Sequence, residues 1–262
     1  MLKVSEILSY ITEEAPLCWQ ESYDNSGLLI GDSNALVDKV LLSLDVTEEV
    51  IDEAINNSFH MIISHHPLIF KGVKNILADD ATGKMIMKAI KHDISIAAMH
   101  TNIDNSFYGV NRVLAEKIGL RDLNILHLNY SETLVGSGMI GVLENEMPEL
   151  DFLKMIKEKL NVPSIRHSKL LNKNIRKVAI CGGSGSFLIN DAKRCAADVY
   201  LTADLKYHDF FEADNEILII DAGHFETEQF TKQLFADIIL KKNPKFAVQI
   251  SSVKTNSVHY FV

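Results

Sequence analysis

The sequence predicts an α/β protein made of two repeat-related α/β units with mixed, mostly parallel sheets, and a metal site between them. Three observations carry this. Short apolar runs of strand length alternate with helix-length amphipathic segments, the pattern of βαβ units. The chain repeats itself: shifted by 138 residues, Lys39-Val40 falls on Lys177-Val178, Ala54 on Ala192, and Met61–Ser64 on Val199–Thr202. Histidines and carboxylates recur at the ends of the repeated strands. At 262 residues and 47% hydrophobic content the chain can bury one large core or two modest ones, and the repeat favours two, divided as 1–126 and 127–262.

In order, the first unit opens with MLKVSEILSYITEEAP, a helix with Val4, Ile7, Leu8 and Ile11 on one face. Strand 40–46 and helix 47–57 follow. Strand 59–65 is too short and too β-branched to be a helix. Helix 82–92, strand 94–99 and helix 109–118 complete the unit. Asp24-Asn25, in YDNSG, reads as a turn. The second unit has strand 134–143, helix 149–160, strand 177–182, helix 186–196, strands 198–202 and 217–221, and helix 226–240. A last strand is expected at 246–251. The C-terminal helix is able to pack back on the first unit. Trp19 and the phenylalanines read as core.

The chemistry concentrates at strand ends. His65-His66 closes the run FHMIISHHPLIF, and Pro67 holds His66 extended. Alone, the pair reads equally well as polar surface. Further along, the repeat offset becomes 124, as a 14-residue insertion in the first half requires, and AAMHTNID (97–104) falls on DAGHFETE (221–228). His100 then matches His224, and Asp104 matches Glu228. His65, His66, Asp104, His224 and Glu228 offer three imidazoles and two carboxylates, a set suited to two ions with open positions. Nitrogen and oxygen donors without thiolate suit zinc, iron or manganese. His100 reads as a proton carrier, a residue behind the ligands, or a further ligand.

SYDNSGLLIG (22–31), LDVTEEVIDEA (44–54), SHHPLIF (64–70), HTNID (100–104), GVN (109–111), CGGSGS (181–186), YLTADLKYHD (200–209), DAGHFETE (221–228) and TNSVHYF (255–261) occur in this order over nearly the whole chain. In these segments the chain resembles the Nif-three-like family, the GTP cyclohydrolase I type 2 homologues. The resemblance implies two intertwined α/β units in a toroidal homohexamer. It also implies that His65, His66, Asp104 and His224 are metal ligands, with Glu228 bridging both ions. His208, in YHD, becomes a substrate or proton-transfer residue, although by itself it reads as a helix-start cap. The activity implied is hydrolytic opening of the guanine ring of GTP at C8 with release of formate, His100 and His208 moving protons. A phosphoesterase on the same metals, and a metal-binding scaffold or regulatory protein, are the alternatives.

Composition narrows the class. A net charge of −9 argues against general nucleic-acid binding. Lys159 to Asn190 nonetheless contains no Asp or Glu and holds Lys159, Arg166, Lys169, Lys173, Arg176 and Lys177. This run leads into GGSGS, which is either a tight strand-to-helix turn or a cradle for the phosphates of an anionic ligand. It lacks both the G-K-[ST] ending and the G-x-G-x-x-G spacing. No run of about 18 apolar residues offers a membrane span. The acidic N-terminus lacks a signal-peptide layout, and Cys18, Cys181 and Cys195 read as reduced thiols of a cytoplasmic protein. His60, His92, His127, His167 and His259 have no ligand spacing and read as surface.

Overall fold

The computed structural model describes residues 1–128 and 134–261. In chain order the elements are β1 (Leu2–Lys3), α1 (Val4–Glu14), β2 (Gly27–Ile30), β3 (Leu36–Val37), β4 (Lys39–Ser43), α2 (Glu48–Asn56), β5 (Met61–Ser64), α3 (Ala81–Lys91), β6 (Ser95–Ala98), α4 (Thr101–Asp104) and α5 (Val110–Ile118). There follow β7 (Arg121–Leu128), β8 (Gly136–Pro148), α6 (Glu149–Lys159), β9 (Arg166–His167), β10 (Asn174–Ser184), α7 (Ile189–Arg194), β11 (Val199–Ala203), β12 (Leu218–Asp221), α8 (His224–Glu228), α9 (Thr231–Lys242) and β13 (Ala247–Ile250). Short 3-10 turns at Leu17–Trp19, Ser186–Leu188 and Tyr207–Ala213 complete the path. Among the described residues no helix is long and apolar enough to cross a membrane.

The chain divides into two compact units, Met1–Ile103 with Thr231–Ser257, and Asp104–Phe230 with the residues from Val258 onward. The repeat alone put the boundary at 126/127, and the contact division differs from it. α5 and β7 carry Leu114, Ile118 and Leu126 into the cores of the second unit, and β13 returns to complete the first unit's sheet. The chain thus leaves the first unit and comes back to it.

The first unit holds a five-stranded sheet, β13-β4-β5-β6-β2. Its pairs are parallel except β2–β6 at the edge. β4 and β5 are buried along almost their whole length, as expected of parallel strands covered on both faces. Leu41, Ile62 and Ile96 meet Val50, Ile51 and Ile86 of α2 and α3 in one core. Thr47 caps α2 by accepting from the Val50 N–H, and Asp80 caps α3 through Gly83. α9 packs against α1, β4 and β13.

The second unit holds a six-stranded sheet, β7-β8-β10-β11-β12-β9. β10, β11 and β12 are parallel, and β7, β8 and β9 join antiparallel. Two cores flank it, one around Phe152, Ile156, Val178 and Leu201, the other around Tyr200, Ile189 and Ile219. The repeat is visible in the strand order: β2-β6-β5-β4 corresponds to β9-β12-β11-β10, each set ending in an antiparallel edge strand.

Several elements depart from expectation. β2, β7 and β9 were not anticipated, and β8 and β10 run past the predicted strands 134–143 and 177–182. The single helix 226–240 is two helices, α8 and α9, broken where the chain passes from one unit to the other. Phe152 and Phe235 are core, but Phe70, Phe187, Phe211 and Phe261 are exposed.

Candidate functional site

In the first unit three histidines converge from two adjacent strand ends. His65 and His66 follow β5 and His100 follows β6, and these strands are parallel neighbours, so their C-terminal ends deliver the three rings to one edge of the sheet. The ring centroids of His65, His66 and His100 lie 4.9, 5.2 and 5.4 Å apart. A ligand-type nitrogen from each comes within 4.8 Å of the others.

Each ring is held through Nδ1. His65 is fully buried and its Nδ1 lies 2.9 Å from the carbonyl of Met99. A carbonyl only accepts, so Nδ1 carries the hydrogen and the lone pair falls on Nε2. His66 Nδ1 lies 2.7 Å from Asp45 Oδ1, and the other oxygen of Asp45 accepts from the Thr255 hydroxyl at 2.5 Å. Burial pushes the Asp45 carboxyl up, but hydrogen bonds from His66 and Thr255 more than offset it, and the group lies below its ordinary value. His100 Nδ1 lies 2.7 Å from Asp24 Oδ1. Asp24, its side chain buried, also accepts from the Asn25 N–H, the Ser26 hydroxyl, and the N–H and hydroxyl of Thr101. Burial opposes its charge, and these donors overcome that to hold it far below the usual carboxylate range. Carbonyl or carboxylate behind Nδ1, with Nε2 presented forward, is the arrangement that orients metal-ligating imidazole.

The second unit presents a mixed pair. The i,i+4 spacing within α8 puts His224 and Glu228 on one face, with His224 Nε2 2.9 Å from Glu228 Oε2. His224 Nδ1 lies 2.6 Å from Asp204 Oδ2. Asp204 sits just after β11 with φ of 56°, a left-handed conformation that aspartate tolerates. Burial lowers the His224 pKa, but the two carboxylates dominate and raise it to about 11. In the absence of metal this imidazole is a cation wedged between two anions. Burial, and after it the charges of Asp104 and Glu228, push the Cys181 thiol up. The Asp104 carbonyl accepts from Asn111 Nδ2, and Asn111 Oδ1 accepts from the Gly182 N–H.

The GGSGS segment is not a phosphate cradle at its start. Gly182 and Gly183 lie in β10, and their N–H groups are taken by Asn111 and Thr227. Gly183 has φ of +61°, and a Cβ there would stand 2.1 Å from Glu228 Oε1. The glycine is there so that the backbone can pass under the carboxylate.

Of the expected site residues, His65, His66 and His100 come together in the first unit, and His224 and Glu228 in the second. His208 is exposed on the 3-10 turn beside Tyr207 and Phe211, and among the described residues it joins no metal-type cluster. His60, His92, His127, His167 and His259 are exposed. Asp45, Asp204, Thr255 and Gly183 were not anticipated. Asp204 had a signal, since the 138-residue shift lays it on His66. The repeat therefore places His66 beside His100 in one unit and Asp204 beside His224 in the other.

Comparison with known proteins agrees with this architecture. The family model for Duf34/NIF3 (NGG1p interacting factor 3) matches residues 2–257. A Campylobacter jejuni protein named GTP cyclohydrolase 1 type 2 homolog is 38% identical, covering 99% of this chain and 100% of its own. A Clostridium perfringens protein of the same name is 37% identical over 87% of each chain. Among solved structures, a Bacillus cereus protein related to NIF3 superposes with a TM-score of 0.94 at 29% identity, covering 100% of this chain and 99% of that one. The chain belongs to the Duf34/NIF3 family.

Proposed function

We propose that this protein is a hydrolase dependent on two divalent ions and acting on a nucleotide-like substrate. The observation that carries the reading is the set of three imidazoles, each fixed through Nδ1 by Met99, Asp45 or Asp24. Surface histidines have no need of such support, whereas ligands do. The curated relatives are named GTP cyclohydrolase 1 type 2 homologs, which supports GTP as the substrate, and the reaction we propose on it is ring opening with formate release. His65, His66, Asp104, His224 and Glu228 would hold the ions. Nitrogen and carboxylate donors fit zinc, manganese or iron. When bound, such a pair supplies an activated water and neutralises developing negative charge.

The remaining roles fall to the chain itself. Asp24 holds His100 with its Nδ1 hydrogen committed, so a proton is exchanged at Nε2. Asp45 and Thr255 keep the His66 ring from rotating. Asp204 does the same for His224. His208, more exposed, is the second proton carrier in this proposal. The working form we propose is a cytoplasmic homohexamer, an assembly that rests on the family resemblance alone.

The test is formate release from GTP by purified protein loaded in turn with manganese, zinc and iron, together with metal content. Glu228→Gln is expected to lose at least one metal equivalent and the activity. Unchanged metal content with full activity would refute the assignment of Glu228. Bound metals without formate would move the reading to phosphoester hydrolysis, and failure there as well would leave a metal-binding scaffold.

A further inference from the structure

Two of the segments around the histidine triad, one bearing Asp24 and the other His65-His66, each carry an exposed aromatic ring next to those residues. Tyr23 directly precedes Asp24, the carboxylate that holds His100. Phe70 follows His66 by four positions. Asn25 Nδ2 donates to the carbonyl of Ile69 at 2.6 Å and ties the two segments together. The Tyr23 and Phe70 rings then lie 6.3 Å apart at 41°, and Phe70 stands edge-on to His100 at 5.9 Å.

The neighbours of Phe70 show that its exposure is selective. Leu68 and Ile69 turn inward onto the core formed with Val50, Ile62 and Ile96. Phe70 stays 41% exposed and Tyr23 63%. Adjacent aromatic side chains left in water at the rim of a polar cluster mark a binding surface rather than a core. Lys71 and Lys74 continue along the same exposed segment and set positive charge beyond the rings.

We propose that Tyr23 and Phe70 form a ledge that stacks the planar heteroaromatic ring of the substrate beside the histidine triad. The inference rests on the reading of the triad as part of a hydrolytic site for a nucleotide-like compound, and it names the subsite that takes the base. Stacking on aromatic side chains tolerates any flat base, so the ledge supplies affinity for the ring and placement of it, and little discrimination among bases.

Calorimetry on the metal-loaded protein with guanosine, adenosine and ribose 5-phosphate tests this. Both nucleosides are expected to bind. Phe70→Ala is expected to weaken them about 5- to 150-fold, leave ribose 5-phosphate unchanged and keep full metal content, while Phe70→Trp keeps the affinity. Tyr23→Ala, at the more exposed position, is the second variant and should weaken the same two ligands. Nucleoside binding that is undetectable in the native protein, or unaltered in both alanine variants, would overturn the ledge and turn attention to a protein partner for this segment. The two readings fail separately. Formate release with an unchanged KM in Phe70→Ala removes the ledge and leaves the hydrolase. Ring binding lost in Phe70→Ala, with no hydrolysis of any substrate by the native protein, leaves the ledge and removes the hydrolase.

Discussion

Replacing Gly183 with alanine should disturb the His224–Glu228 pair of the second unit through backbone geometry alone. Gly183 sits at φ of +61°, and its added Cβ would lie 2.1 Å from Glu228 Oε1, 3.0 Å from Glu228 Cδ and 3.2 Å from His224 Cε1. The left-handed conformation costs an alanine about 1–2 kcal/mol. Relief of the overlap requires the carboxylate to retreat by roughly 1 Å, since non-bonded carbon contacts settle near 3.5–4 Å. That retreat breaks the 2.9 Å contact between Glu228 and His224, worth about another 1 kcal/mol. The sum, about 2–3 kcal/mol, corresponds to a fall in Tm of about 4–12 °C. Gly182→Ala is the matched control. Its φ is not in the left-handed region, and its nearest neighbour would be Glu228 Cγ at 3.4 Å, ordinary contact. Differential scanning calorimetry and metal titration on both variants decide the matter. Gly183→Ala should lose stability and weaken metal binding, and Gly182→Ala should stay near the native protein. Equal behaviour of the two would refute the claim that Gly183 makes room for Glu228.

Two further outcomes follow from the carboxylates behind the histidines. Asp24→Asn places an amide donor against a ring of donors and should cost about 3 kcal/mol in urea unfolding, in the range for breaking a buried ionic contact; a loss under 1 kcal/mol would show that the network is not needed. Because the folded pKa of Asp24 is depressed, its contribution is present above the ordinary value of 3.8 and lost as pH falls below it, so the native protein should lose stability in acid more steeply than Asp24→Asn. His224 has the opposite sign. Its folded pKa is raised from 6.5 to about 11, so the stability it contributes without metal is complete below pH 6.5 and is lost as pH rises toward 11. Metal must displace that proton, so metal affinity should rise with pH across the same window, with proton release visible in buffers of different ionisation enthalpy. Affinity independent of pH between 6.5 and 9 would contradict this.

The parallel core of each unit was legible because buried strands read as unbroken apolar runs, as in MIIS and VYLTA. β2 was missed because GLLI is short, begins with Gly27 and is followed by Gly31, both at positive φ, and is preceded by a turn-forming Asp-Asn. β10 runs through two glycines that, in sequence, read as the end of a strand. The ligand-type histidines announced themselves by recurring at repeated strand ends. Their supporting carboxylates did not: the family segment pointed to Asp24 or Asn25 only as lining the cavity, Asp24 lies 76 residues from His100, and Asp45 and Asp204 lie 21 and 20 residues from His66 and His224 without a motif to link them. Only the pairing of strands brings such residues together. The broken helix at 229–230 was hidden because apolar spacing continues across the break.

The return of the chain to the first unit also bears on the order in which the protein is made. Residues 104–230 form almost the whole second unit as one uninterrupted stretch. The first unit instead lacks an edge of its sheet until β13 leaves the ribosome, and β4 must pair with it in parallel. At about 5–20 residues per second, residues 1–103 wait roughly 6–25 s for the segment that begins at Thr231. During that wait β4 presents Val40, Leu41 and Leu42 beside an unpaired edge, the kind of surface that seeds misassociation. A nascent chain stalled before residue 231 should therefore be a substrate for chaperones, whereas the second unit is already able to close.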